Sequence, residues 1–371
     1  MEILTFIVPF LILITVVVFI HEYGHYYFAK CFGVGVTDFS IGFGKEIFGF
    51  NDKSGTRWKF CAIPLGGYVK FFGDRNVFSQ AEQDELLKKY SKKDQNKLFV
   101  TKPIYQRSLV VAAGPLANFV LAILIFTFIF MFAGKDFTPA QIQEVQKDSP
   151  AYISGIKDGD IILEINNNKV NSILEVSNFI NTSTSDSIDV KIMRNSEEII
   201  LTVKPKLTKG EDSLGNKVNK KIIGIKISPL NDEFNRERLG PATALLYAVK
   251  ETWFVTRTSL DFVISMLQGK GDTTQLGGPI KIAKITGQVA QHGLIAFLSI
   301  MAYISISLGF INLLPIPMLD GGHLMFYAFE KVLGKPLTQR TQEGFFRIGL
   351  FLLISLMFFT TFNDLKDLGL F

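Results

Sequence analysis

The chain has 371 residues, 48% of them apolar and 13% aromatic, with a positive mean hydropathy. A soluble protein of this length would divide into two or three domains, but here the apolar residues gather into runs of bilayer-crossing length, about 20 residues for a helix. The formal charge of +5 comes without base-stacking or nucleic-acid motifs, which excludes nucleic acid as a partner.

The first element is an apolar run from residue 3 towards residue 28 that ends in "VVVFIHEYGHYYFAK", residues 16–30. Its leader "MEILTF" carries an acid and no basic residue, and no small-x-small cleavage site follows, so the run reads as a span (1–29) and not a cleavable signal. From Lys30 to Arg107 there are 14 Lys or Arg against 8 Asp or Glu. Positive loops stay cytoplasmic, so the N-terminus is expected outside and residues 30–107 inside. Cys31 and Cys61 fall in that loop, where thiols stay reduced, and their spacing does not make a zinc site.

Residues 34–72, "VGVTDFSIGFGKEIFGFNDKSGTRWKFCAIPLGGYVKFF", alternate β-formers with Gly and Asn-Asp turn signals, the pattern of strands and hairpins. The Lys-rich stretch 79–97 reads as a solvated helix or insert without chemistry. A second span, 108–134, opens with "AAGPLANF", where Gly114, Ala117 and Asn118 offer a close-packing, hydrogen-bonding helix face.

Residues 136–228 are polar, with short strands and turns, and form an inserted soluble domain. Within it "SPAYISGIKDGDIILEINNNKV" (149–170) resembles the PDZ pattern, with Asn167 at a turn position usually held by Gly and tolerated by Asn. Such a fold binds extended peptides along a sheet edge. Residues 229–290 are expected to form surface helices. Lys250, Glu251, Arg257 and Asp261 lie in the middle of 241–269, where hydrocarbon would penalise them. Lys250, Arg257 and Asp261 share one face, as in an amphipathic helix on the membrane surface. A third span follows at 291–322, then a basic cytoplasmic loop at 323–343, a fourth span at 344–363 and an external tail at 364–371.

The chemistry centres on H-E-x-x-H. His21 and His25 are four residues apart, so they share a helix face about 6 Å apart along the axis. Both imidazoles can reach one zinc ion at about 2.0–2.1 Å. Glu22 is placed to take a proton from an activated water and not to bind metal. The third ligand is expected to be Asp320, closing the third span in "SLGFINLLPIPMLDGGH", where Pro315 and Pro317 interrupt the helix beside protein or water. If the first span runs inward, its histidines lie at the cytoplasmic end. Asp320 arrives level with them only if 241–269 does not cross; otherwise it emerges about 30 Å away. Four spans with both termini outside satisfy this. His292 reads as an external surface residue, and His323 as an outer partner or a helix start.

With "HEYGH", "PLGGYVKF", "AAGPLANF", the PDZ-like block and "NLLPIPMLDGGH" in this order, the chain resembles the site-2 protease family of intramembrane zinc metalloproteases, most of all the bacterial RseP-type regulator-of-sigma proteases. The resemblance implies a polytopic α-helical membrane protein of four transmembrane helices, with cytoplasmic-side β-hairpins and one inserted external PDZ-like α+β domain. It implies one Zn²⁺ per chain on His21, His25 and Asp320, with Glu22 as the base. Asn312 would hold the substrate backbone, and the hairpins carrying Gly42, Gly44, Gly66 and Gly67 would engage substrate as an added strand. The implied substrates are single-span membrane proteins, such as a pre-trimmed anti-sigma factor or a remnant signal peptide, cut in a bacterial inner membrane. The PDZ-like domain would filter by size or bind peptide ends. The best-known bacterial form has two tandem PDZ domains, and this chain has room for one. A competing reading is a non-catalytic membrane-anchored PDZ adaptor with a structural zinc. It calls for a closed four-ligand site or a missing base, whereas this chain keeps Glu22 and offers three ligands. A transporter would show internal repeats, and none is visible.

Overall fold

The computed structural model describes residues 2–73, 87, 89–183, 185–211, 217–229, 235–269 and 276–367. The Lys-rich stretch lies partly outside the described residues; its described part includes a one-turn helix, Lys92–Gln95, capped by Ser91. The described residues also form eight longer helices, in chain order α1 (Glu2–Cys31), α2 (Ile104–Phe132), α3 (Ile173–Thr182), α4 (Pro241–Leu267), α5 (Pro279–Ala290), α6 (Leu294–Leu313), α7 (Asp320–Leu333) and α8 (Gln339–Asp367). Four of them, α1, α2, α6 and α8, are long and apolar enough to cross a membrane. The chain divides into two compact units, residues 1–125 with 278–362, and residues 126–277 with 363–371.

In the first unit, small residues set the helix crossings. A methyl at Gly24 of α1 would press on the Ala113 carbonyl and lie 2.9 Å from Ala117 Cβ of α2, and one at Gly309 of α6 would lie 2.9 Å from the Pro115 carbonyl oxygen. Lipid gives helices no hydrophobic reason to associate, so close backbone packing of this kind must hold them together.

Strands β1 (Val36–Asn51) and β2 (Arg57–Phe71) form a curled ribbon. Asp38 lies opposite both Arg57 and Lys70, and Ile41 opposite both Phe60 and Gly67, while Gly49 pairs with Lys59. Residues 38–41 are thus enclosed between two stretches of β2, and residues 67–71 form the margin, where no further strand pairs among the described residues. The ribbon is pinned to α1. Fully buried Phe39 stacks on Trp58 at 4.2 Å, and the Tyr26 hydroxyl donates to Asp52 at 2.6 Å. Asp52 also accepts from Trp58 Nε1 and the Ser54 and Thr56 amides. Burial alone would raise its carboxyl, but these donors outweigh it and hold the group well below the usual carboxylate range.

The third apolar helix is shorter than the sequence suggests. α6 ends at Leu313, and Asp320 opens the separate helix α7 instead of closing the span. Pro315 and Pro317 lack the amides that a continuing helix needs. Gly321 and Gly322 lie against the carbonyls of Leu313, Leu314 and Ile316, where a Cβ has no room. Much of the stretch expected to be a cytoplasmic loop, 323–343, is therefore helical.

In the second unit, strands β3 (Ala140–Val145), β4 (Ile161–Ile165), β5 (Ile188–Arg194), β6 (Glu197–Val203) and β7 (Ile225–Pro229) form an antiparallel sheet in the order β7-β3-β4-β5-β6, with Asn168–Lys169 also paired to β4. Its buried core includes Ile142, Ile162, Ile165, Val176, Ile188 and Ile192, drawn from the sheet and α3. Arg194 clamps the buried Asp160 carboxylate through two bonds of 2.7 Å. A short pairing of Lys135–Asp136 with Arg236–Glu237 brings the two ends of the insert together. The helix α4 buries only small residues, Ala244, Ala248, Thr252 and Ser265, and leaves Leu246, Val249, Trp253 and Leu260 exposed.

Candidate metal centre

Three side-chain atoms converge in the first unit. His21 Nε2 and His25 Nε2 are 3.2 Å apart, and Asp320 Oδ2 lies 3.2 Å from the first and 3.5 Å from the second. Tetrahedral ligands about 2.0–2.1 Å from a zinc ion lie about 3.3–3.4 Å from one another. The triangle is therefore the size of one face of such a site. His21, His25 and Asp320 are a group that could hold a metal ion.

Each corner has a structural origin. The four-residue spacing on α1 stacks the two imidazoles, whose rings meet edge to face at 4.9 Å. Asp320 is delivered by the start of α7, after the proline-broken turn in which Met318 has a φ of 85°. Non-glycine residues there are strained, and such strain persists only where the surroundings enforce it. Gly114 of α2 lies under the His25 ring, where a Cβ would collide with it.

The hydrogen bonds argue for a cation between the three atoms. His25 Nδ1 lies 2.9 Å from the Val110 carbonyl. A carbonyl only accepts, so Nδ1 carries the proton, and neutral His25 turns a bare Nε2 lone pair towards His21 and Asp320. Asp320 Oδ2 is buried with no hydrogen-bond partner among the described residues. Facing lone pairs repel one another unless a positive charge sits among them, so the residues fit a divalent cation.

Glu22 is 9% exposed and projects from the same turn of α1. It meets the margin of β2, where a Cβ at Gly67 would lie 2.9 Å from Glu22 Cγ and 2.7 Å from the Ser40 carbonyl. Only glycine lets the strand come this close. A cavity of about 600 Å³ opens over the cluster, and Glu22, Gly66, Gly67, Tyr68, Asn312 and Met318 are among its lining residues. Of the residues the sequence reading groups as substrate-binding, Gly66, Gly67 and Asn312 reach this cavity. Gly42 and Gly44 do not line it; their φ values of 87° and 85° serve the bend of β1 instead. His323 does line it, packed against Phe346 at 5.5 Å. Burial pushes its imidazole below the usual value, against the opposing pull of Asp320. Among the functional atoms, the Val110 carbonyl gives no sequence signal, because any residue type supplies one.

The family model described as Peptidase family M50 matches residues 9–356. A relative from Mesorhizobium japonicum is 42% identical, covering 97% of this chain and 98% of its own length. Another from Agrobacterium fabrum is 39% identical, covering 98% and 96%. Both carry zinc-metalloprotease names. Metalloprotease MmpA of Caulobacter vibrioides is 35% identical, with 99% of this chain and 97% of that one covered. A solved PDZ domain of an SdrC-like protein from Listeria monocytogenes covers 24% of this chain and 88% of its own at 22% identity, with a TM-score of 0.20, too low to bear on the fold. The chain belongs to peptidase family M50, the site-2 protease family.

Proposed function

We propose that the protein is an intramembrane zinc metalloendopeptidase that hydrolyses peptide bonds within the transmembrane segments of single-span membrane proteins, as in regulated intramembrane proteolysis. The observation that carries this reading is the triangle of His21, His25 and Asp320 beside a buried Glu22, with the histidines on a helix long and apolar enough to span a bilayer. The zinc-metalloprotease names of close relatives support the choice of metal and chemistry. His21, His25 and Asp320 would hold one zinc ion. Bound zinc would supply Lewis acidity, polarising a scissile carbonyl and letting water ionise near neutral pH. Glu22 accepts the proton of the attacking water and hands it to the leaving amine.

A transmembrane helix keeps its peptide bonds in an i→i−4 ladder and must unwind before it is cut. The margin of β2 at residues 67–71 offers sheet bonds in exchange, as an edge that takes up an added strand. Asn312 on the cavity wall orients that strand. Exposed Ile47 and Phe48 at the outer part of the ribbon support its contact with the membrane.

The basic 30–107 segment supports a cytoplasmic placement of the active site, with both termini and the PDZ-like domain outside the bacterial cytoplasmic membrane. The exposed apolar side chains of α4, Trp253 among them, support its lying on the membrane surface. A groove of about 230 Å³, lined by Ile180, Ile223 and Ile227, suits a peptide end on the PDZ-like domain. That domain would also admit only substrates whose external part has been trimmed, such as a pre-cut anti-sigma factor or a remnant signal peptide.

Metal analysis of the purified full chain tests the reading. Wild type is expected to retain about one zinc per chain, and Asp320→Ala to lose it. Unchanged zinc content in Asp320→Ala would remove that residue from the ligand set.

A further inference from the structure

The geometry points to Asn118 as the positioning residue for His21: its side-chain oxygen accepts the Nδ1 proton and so turns the Nε2 lone pair of His21 towards the metal. This rests on the zinc reading above and goes beyond it, because the role lies on α2 and in no ligand.

His21 directs Nε2 at His25 Nε2 and Asp320 Oδ2, each 3.2 Å away. To bind a cation there, Nε2 must be free of hydrogen, so the proton of the neutral ring belongs on Nδ1. For His25 that proton has an acceptor in the Val110 carbonyl. For His21 the group in reach is the amide of Asn118, whose Nδ2 lies 3.3 Å from Nδ1, deep in the first unit. In that orientation a donor faces Nδ1. The ring proton would then move to Nε2, pointing into the metal position.

A second observation bears on the same amide. Asn118 is fully buried, and its Oδ1 has no hydrogen-bond partner among the described residues. A buried acceptor left without a donor loses the hydrogen bonds that water would have given it. The two ends of an amide have almost the same shape, and the surrounding partners decide which faces which. Exchanging them sets Oδ1 against His21 Nδ1 and gives the orphaned acceptor its donor. The backbone is already fixed for this. Ser305 Oγ of α6 donates to the Asn118 carbonyl at 2.9 Å, and Gly309 lets α6 pack against Asn118 Cβ. The two histidines are then held alike, each by an oxygen of α2.

The test compares Asn118→Asp, Asn118→Leu and Asn118→Ala in the full chain, purified in detergent. Asp keeps an acceptor and removes the donor; Leu fills similar volume with neither; Ala removes the group without crowding. Zinc affinity is measured by competition with a chromophoric chelator, and the visible spectrum of the Co²⁺ form reports the ligand geometry. Thermal unfolding with excess zinc checks the fold. Outer partners of metal-bound histidines typically account for about 10–100-fold in affinity. Asn118→Leu and Asn118→Ala are expected to lose that much and to shift the Co²⁺ band, while Asn118→Asp stays within a few-fold of wild type with the band retained. Folded Asn118→Asp that binds zinc as weakly as the apolar variants would overturn the proposal, as would wild-type affinity in either of those. A wild-type protein that takes up no zinc would overturn the zinc reading itself, and this proposal with it.

Discussion

Arg107 grips Glu330 with two charge-assisted hydrogen bonds, 3.1 Å and 2.6 Å long, across 223 positions of sequence. The guanidinium also covers the Tyr327 ring at 4.9 Å. Arg107 lies one turn of α2 before Val110, whose carbonyl orients His25, and Glu330 lies on α7, the helix that Asp320 opens. The pair therefore sets the carriers of two metal-facing side chains against each other. Removing one member of a mostly buried pair strands the other charge, at about 3–5 kcal/mol. Arg107→Met is expected to lower the thermal midpoint and weaken zinc retention together, and the double variant with Glu330→Met to recover much of the stability. A single variant with wild-type melting and zinc content would show that the pair is not needed to place Asp320.

Gly67 brings the margin of β2 directly against Glu22. A methyl there would crowd Glu22 Cγ at 2.9 Å and the Ser40 carbonyl at 2.7 Å. Gly67→Ala is expected to keep its zinc and lose at least about tenfold in cleavage, equivalent to about 1.4 kcal/mol in the barrier. Metal content and cleavage of a single-span reporter, measured on one preparation, decide this. Full activity would mean that the strand can yield without disturbing Glu22.

The insert has its own core, and its ends are paired through Lys135–Asp136 and Arg236–Glu237. Deleting residues 136–228 with a short Gly-Ser join is expected to preserve zinc binding and to admit reporters with larger external parts. A zinc-loaded deletion that cuts nothing would argue against a filter.

Much of the site was legible because its chemistry depends on spacing. Two histidines four residues apart must share a helix face, and Asp320 stands out in the polar, proline-broken end of the third apolar run, with topology as a check. The contributions that stayed hidden are of other kinds. The Val110 carbonyl is a backbone atom, and the Arg107–Glu330 contact joins residues far apart in sequence. Asn118 reads as part of a hydrogen-bonding helix face, but its partner His21 lies on another helix and has no signal in sequence. The alternation of residues 34–72 revealed strands, but the double pairing of Asp38 and Ile41 depends on bends at Gly42 and Gly44 that alternation does not encode. The family resemblance groups those two glycines with Gly66 and Gly67, but only the latter pair lines the cavity. Hydropathy overruns the end of the third span, since Leu314, Ile316 and Leu319 are as apolar as the helix before them while the two prolines end it at Leu313.

In the proposed reaction Glu22 moves the proton while His21, His25 and Asp320 hold the metal. Glu22→Gln tests it most directly, in the full chain reconstituted with a helix-destabilised single-span reporter. The variant is expected to retain about one zinc per chain and to show no cleavage above background. Cleavage at the wild-type rate by zinc-loaded Glu22→Gln would contradict the account.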